Sequence, residues 1–199
     1  MRKLIAGVVL ALGVAAMGFA ADGSTLQGPD LAAALRQGGF VIVMRHTSSP
    51  RELPQGADVA ADNVNGERQL DAQGRSDAQA LGAALRRLQI PVAEVLSSPT
   101  YRAHETARLA GLDAVTSHDE LSNEGMGAAA ERQAAFLREL VARAPAAGNT
   151  LVITHGPNLN AAFAEFARGM GEGDALVFDP RAAGASPAGR IAIGEWPAL

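Results

Sequence analysis

The sequence predicts an α/β layered domain on a mostly parallel sheet, and three observations carry that prediction. Short apolar runs, FVIVM at 40–44, VAEVLSS at 92–98 and NTLVIT at 149–154, alternate with longer stretches of helical periodicity. Each run is too short for a buried helix and reads as a strand, the continuous FVIVM run as one covered on both faces. Each run also stops at polar residues: Arg45-His46, Ser97-Ser98-Pro99 ahead of Arg102, and Thr154-His155. Open parallel sheets build their sites just beyond the carboxyl ends of such strands.

Taken in chain order, the elements begin after an export signal. Residues 1–20 have a basic start (Arg2, Lys3), an apolar stretch from Leu4 and a small-x-small end at Gly18-Phe19-Ala20. That is the layout of a signal peptide cut after Ala20 or Ala21, which leaves 21–199 as one periplasmic domain with no stable membrane insertion. An uncleaved anchor is the alternative reading, although glycine and alanine make the run weakly hydrophobic for a bilayer span. GPDLAAALRQGG (28–39) reads as a short helix with Asp30 as N-cap and Gly38-Gly39 as its stop.

Residues 47–66, TSSPRELPQGADVAADNVNG, hold two prolines and several turn formers, so they read as a long loop of the functional kind. A helix follows from the N-cap Asp71, with Ala78, Leu81, Leu85 and Leu88 on one face and Pro91 as its end. The next helix lies in SPTYRAHETARLAG, with Ser98 as N-cap, Pro99 at its first position and Gly111 at its close. DAVTSHDELSNEGMG reads as a looser segment leading to helices over about 128–143 and 157–168. ALVFDP and RIAIGEW read as a terminal hairpin.

Composition narrows the chemistry. The chain has 199 residues and is 48% hydrophobic but only 4% aromatic, so aliphatic side chains and alanine must fill its core. It has no cysteine, which excludes disulfides, thiol catalysis and cysteine-ligated metals. The net charge of −4 becomes −6 once Arg2 and Lys3 leave with residues 1–20, which contain no acid. An acidic body without a basic block speaks against a nucleic-acid partner. Lys3 is the only lysine, so an anion site must rely on Arg and His. If the three strands lie side by side, Arg45, His46, Arg102 and His155 converge on one crevice suited to an oxyanion, because guanidinium groups match phosphate oxygens bidentately. A helix starting at Pro99 would add backbone N–H donors.

VMRHTSSP (43–50) resembles the Arg-His-small motif that opens the histidine phosphatase superfamily, the phosphoglycerate-mutase-like fold. LSSPTYRAHETA (96–107) is similar to its second signature, Ser-Ser-Pro followed by Arg-Ala-x-Glu-Thr, and VITHGPNL (152–159) to its late His-Gly element. RQLDAQGRSDAQALG (68–82) resembles the helix start between the first two. The resemblance spans about residues 38 to 166, and all elements stand in the right order. It implies a three-layer α/β/α fold and a metal-independent, histidine acid-type phosphatase that needs no cofactor.

In that reading His46 attacks phosphorus and forms a phosphohistidine, one of its ring nitrogens unprotonated and the other N–H held by a backbone carbonyl. Arg45, Arg102 and His155 hold the phosphoryl oxygens, His155 best as a cation. The resemblance places a carboxylate acid after the second motif. Glu124 is its best match, with Glu120, Asp119, Asp58 and Asp62 as competitors, and some members use none. The implied partner is a small phosphorylated substrate, such as an envelope sugar phosphate. A phosphomutase and a catalytically silent phosphate- or glycan-binding module of the same fold are the alternatives. Glu105 reads as structural, with an i,i+3 pairing to Arg102 as the bland reading of both. His104 reads as surface or packing, His118 as solvated and Arg68 as solvated or ion-paired. Thr47 stands where the family more often has Gly or Ala, and its hydroxyl either reaches the phosphate or does not.

Overall fold

The computed structural model describes residues 25–123, 126–182, 184 and 186–199. Its centre is a six-stranded sheet made from β1 (Val41–Arg45), β2 (Val92–Ser97), β3 (Val115–Ser117), β4 (Asn149–Thr154), β5 (Ala175–Phe178) and β6 (Gly189–Ile191). The order is β3-β2-β4-β1-β5-β6. The first four strands in that order run parallel, while β5 lies antiparallel to β1 and β6 antiparallel to β5. The sheet is therefore mostly parallel, with a terminal hairpin on one side.

Alternation along the strands assigns the two faces. Ile42 and Met44 of β1 and Leu151 and Ile153 of β4 point into one core, with Leu31 and Leu35, Leu81 and Leu85, and Ala103 and Ala107. Those side chains come from α1 (Gly28–Gln37), α2 (Ala72–Arg87) and α3 (Tyr101–Leu109). Val41, Val43 and Val152 point the other way, onto Leu137 and Val141 of α4 (Ala128–Ala142) and Leu159 and Phe163 of α5 (Gly156–Ala167). Helices cover both faces, which gives three layers. Aromatic scarcity is met as expected, since aliphatic residues and alanine make up most of both cores.

Four local expectations need correction. Asp30 lies inside the first turn of α1, and the N-cap is Gln27. The third helix starts at Tyr101 with Thr100 as cap, so Ser98 and Pro99 lie ahead of it. Ser98 still turns its Oγ to accept from Thr100 N–H at 3.3 Å, a polar turn rather than a cap. The looser segment contains β3, an edge strand of three residues whose VTS composition is too short to show a period. In RIAIGEW only Arg190 and Ile191 are strand; the chain then winds into a 3-10 turn, Ile193–Ala198, which buries Trp196 against α2. Asp71 caps α2 as expected, its Oδ1 accepting from Gly74 N–H at 2.7 Å.

Candidate active site

The sheet order puts β2, β4 and β1 next to one another, so the three polar strand ends share one edge. His46 follows β1, Ser98 follows β2 and His155 follows β4, and backbone bonds stitch these exits together. His46 N–H donates to Thr154 O at 3.0 Å and Ser98 N–H to Ile153 O at 2.9 Å. The strand ends thus place both imidazoles before any side-chain contact is made.

Arg102, on the first turn of α3, reaches into that edge from the flank of β2. Its Nε–H donates to His46 Nε2 at 3.2 Å, and its Nη2 lies 3.2 Å from His155 Nδ1 and 3.4 Å from Asn123 Oδ1. The expected backbone carbonyl is there: His46 Nδ1–H donates to Thr47 O at 2.8 Å. These two bonds select one tautomer, with the proton on Nδ1 and a lone pair on Nε2. For His155 the same logic makes Nδ1 the acceptor, so Nε2–H donates to Ser98 Oγ at 2.8 Å. The imidazole ring centres are 5.2 Å apart, edge to face.

Burial makes both rings neutral. His46, Arg102 and His155 are 2%, 6% and 1% exposed, so a charged imidazole would have little water around it. Desolvation, reinforced by Arg102, Arg45 and Arg68 and partly opposed by the Thr47 carbonyl, lowers His46 from 6.5 to about 3. Desolvation, then Arg102, lowers His155 from 6.5 to about 2. Arg102 is likewise lowered, first by burial and then by Arg68. His155 is therefore neutral in the phosphate-free site, and the cation expected from sequence is the phosphate-bound one. A bound dianion nearby would favour the cation.

Arg45 reaches the site from the end of β1, its Nη2 donating to Glu172 Oε1 at 2.6 Å. Its Nε is buried and, among the described residues, has no acceptor. Arg102 does not pair with Glu105, whose carboxylate binds Arg75 and, at 3.2 Å, Arg108. Glu105 is thus structural and Arg102 is left to the site. Arg68 is half-buried and, among the described residues, forms no ion pair: its Nη2 donates to Ser49 O at 2.7 Å, within the loop that follows His46. The hydroxyl of Thr47 turns away from the imidazoles and meets Thr106 Oγ1 at 3.2 Å.

The remaining candidates fall around this centre. Glu124 lies outside the described residues. Asp119, Glu120 and Asp58 are exposed. Asp62 is spent on the Tyr101 hydroxyl at 2.7 Å, a contact that holds its carboxyl below the ordinary range. His104 bonds Ser117 Oγ at 2.7 Å, a packing role, whereas His118 is half-buried with its ring tilted toward Phe136, ring centres 5.3 Å apart. At the N-terminus of α3 the first donor is already used: the Glu67 carboxylate accepts from Tyr101 N–H at 3.0 Å. Sequence reasoning missed Glu67, Asn123 and Glu172, which carry no local signature. Glu172 meets Arg45 from 127 positions away along the chain.

Residues 41–123 match the histidine phosphatase superfamily, branch 1. That stretch takes in Arg45, His46 and Arg102, and His155 lies beyond it. Among solved structures, the protein histidine phosphatase SixA complexed with tungstate is similar at 21% identity, with a TM-score of 0.50, covering 69% of this chain and 86% of that one. A variant of TTHB049 from Thermus thermophilus is similar at 19% identity, with a TM-score of 0.50, covering 77% and 99%. These likenesses establish the fold: mixed α/β, a mostly parallel six-stranded sheet flanked by helices, as in the phosphoglycerate-mutase-like histidine phosphatases. No curated protein matches the chain.

Proposed function

We propose that this protein hydrolyses phosphomonoesters through a phosphohistidine at His46. The observation that carries the reading is the state of that ring: neutral, its Nδ1–H tied to a carbonyl, its Nε2 lone pair turned toward Arg102. An arriving phosphoryl group takes over the Arg102 N–H donors and frees that lone pair. Nε2 then attacks phosphorus as the ester P–O bond breaks, the leaving oxygen takes a proton, and water cleaves the P–N bond in a second step. Arg45, Arg102 and His155 are the phosphate-binding groups, donors aimed where negative charge gathers. Glu124, directly after Asn123 in the chain, is the proposed proton donor.

The export signal supports a periplasmic site of action and an envelope substrate such as a sugar phosphate. It also disfavours a phosphomutase, whose phosphoglycerates are cytoplasmic. The intact His46, Arg45, Arg102 and His155 set disfavours a silent binding module. Mature protein in EDTA should hydrolyse a generic aryl phosphate, and His46→Ala should lower turnover by about a thousandfold or more. No turnover by the intact protein, or equal turnover by the variant, refutes the phosphatase. Substrate class is then sought in a panel of phosphorylated envelope compounds and a phosphorylated histidine peptide, the latter because one fold neighbour is a protein histidine phosphatase.

A further inference from the structure

We infer that Glu172 is the positioning residue of the phosphate grip: its carboxylate fixes the Arg45 guanidinium and latches the loop after His46 to it. The inference rests on the phosphatase reading for what Arg45 grips. Arg45 lies against the N-terminus of α5, where a Cβ on Gly156 would sit 3.7 Å from Nε. A cation at the positive end of a helix dipole needs an anion beside it. Among the described residues Glu172 is the only carboxylate in ion-pair contact with Arg45, Arg68 or Arg102.

The pairing is one-sided in an informative way. Nε and Nη2 share one edge of a guanidinium, the edge with which Arg181 grips Asp179 at 2.7 and 3.1 Å. In Arg45 only the Nη2 prong is taken, by Glu172 Oε1 at 2.6 Å, while the buried Nε has no acceptor among the described residues. Leaving a buried donor unpaired is unfavourable unless a ligand completes it. Glu172 thus holds one prong and keeps the other pointed for a phosphoryl oxygen. Its second oxygen accepts from Ser49 N–H at 3.2 Å, three residues after the nucleophile. One carboxylate therefore ties the end of β1 to the loop at 47–66.

Glu172 can do this because its own backbone is pinned. Gly173 N–H donates to His46 O at 3.0 Å, and Arg45 N–H donates to Asp174 O at 3.1 Å. Asp174, 7% exposed, takes Gly171 N–H, Ile193 N–H and the Arg190 guanidinium at 2.9, 3.1 and 2.9 Å. With side-chain exposures of 29% and 22%, the Arg45–Glu172 pair is partly screened, so its Coulomb attraction is modest. Its effect is geometric: a long, rotamer-rich side chain is ordered before the substrate arrives.

The test compares the intact protein with Glu172→Gln, which keeps shape and loses charge, and Glu172→Ala. Inorganic phosphate binding is measured by calorimetry, alongside kcat and KM on an aryl phosphate and Tm. Phosphate affinity should fall by roughly tenfold or more in the alanine variant and by less in the glutamine variant, with KM raised in the same order and Tm unchanged. Equal affinity in all three proteins overturns the inference. So does tighter binding in the variants, which would make Glu172 a rival of phosphate for Arg45. An intact protein that binds phosphate without turnover refutes the phosphatase reading while Glu172 is still judged by binding. Failure to bind phosphate at all removes both.

Discussion

Thr47 and Thr106 illustrate how much of the site is decided by single hydroxyls. Thr106 Oγ1 has one proton, which it donates to Arg102 O at 2.9 Å. It accepts from Thr47 N–H at 3.2 Å, and the Thr47 hydroxyl, also 3.2 Å away, must then be a donor to it. Thr47 in turn supplies the carbonyl that fixes the His46 tautomer. Both threonines are fully buried, so the network has no water to fall back on. Thr106→Val, nearly equal in shape, leaves the Thr47 N–H unpaired. It should lower stability by about 1–3 kcal/mol in a denaturant titration. It should also cut kcat on an aryl phosphate, because the carbonyl that orients His46 loosens. Unchanged stability and kcat would mean that His46 is oriented by its strand alone. From the sequence, Thr47 posed the question whether its hydroxyl reaches phosphate; it faces Thr106 instead, a partner 59 positions away.

Among the elements, the start of α2 is the one most tightly coupled to the site. Asp71 caps the helix and also takes the Ser48 hydroxyl through Oδ2 at 2.8 Å, while Asp71 N–H donates to Ser48 O at 3.2 Å. The helix is thereby docked onto the second residue after His46. Gly74 permits that approach, since a Cβ there would fall well inside van der Waals contact with the Ser48 carbonyl oxygen. Gly74→Ala should destabilise by about 1–3 kcal/mol despite the better helix propensity of alanine, because overpacking here moves backbone. Thermal melts check the sign. A stabilised variant would mean that the α2–loop contact yields freely. The N-cap at Asp71 was legible because it is a local pattern, one side chain and an N–H three residues on. The Glu67 contact with the first N–H of α3 was not, since it joins segments 34 residues apart.

For the whole molecule, the consequence of burying two imidazoles is a pH-dependent stability. His46 and His155 are held at about 3 and about 2 in the fold and return to about 6.5 on unfolding. Below about pH 6.5 the unfolded chain binds protons that the folded chain refuses, so stability is complete above that pH and is lost as pH falls toward 3. The slope approaches about 1.4 kcal/mol per pH unit for each imidazole. Tm should fall steeply between pH 6.5 and 4; a flat profile would mean that the rings are hydrated. By itself the sequence determined the layered α/β class, the three strands whose polar ends carry Arg45-His46, Ser97-Ser98 and Thr154-His155, and the helix that carries Arg102. Those features are local, written in apolar runs of strand length and in helical periodicity. Only the tertiary structure decided that β2, β4 and β1 lie side by side, that both imidazoles are neutral, that Glu67 takes the first N–H of α3 and that Glu172 holds Arg45. Strand order, burial and long-range pairing are properties of how distant segments pack, and no window of sequence contains both partners.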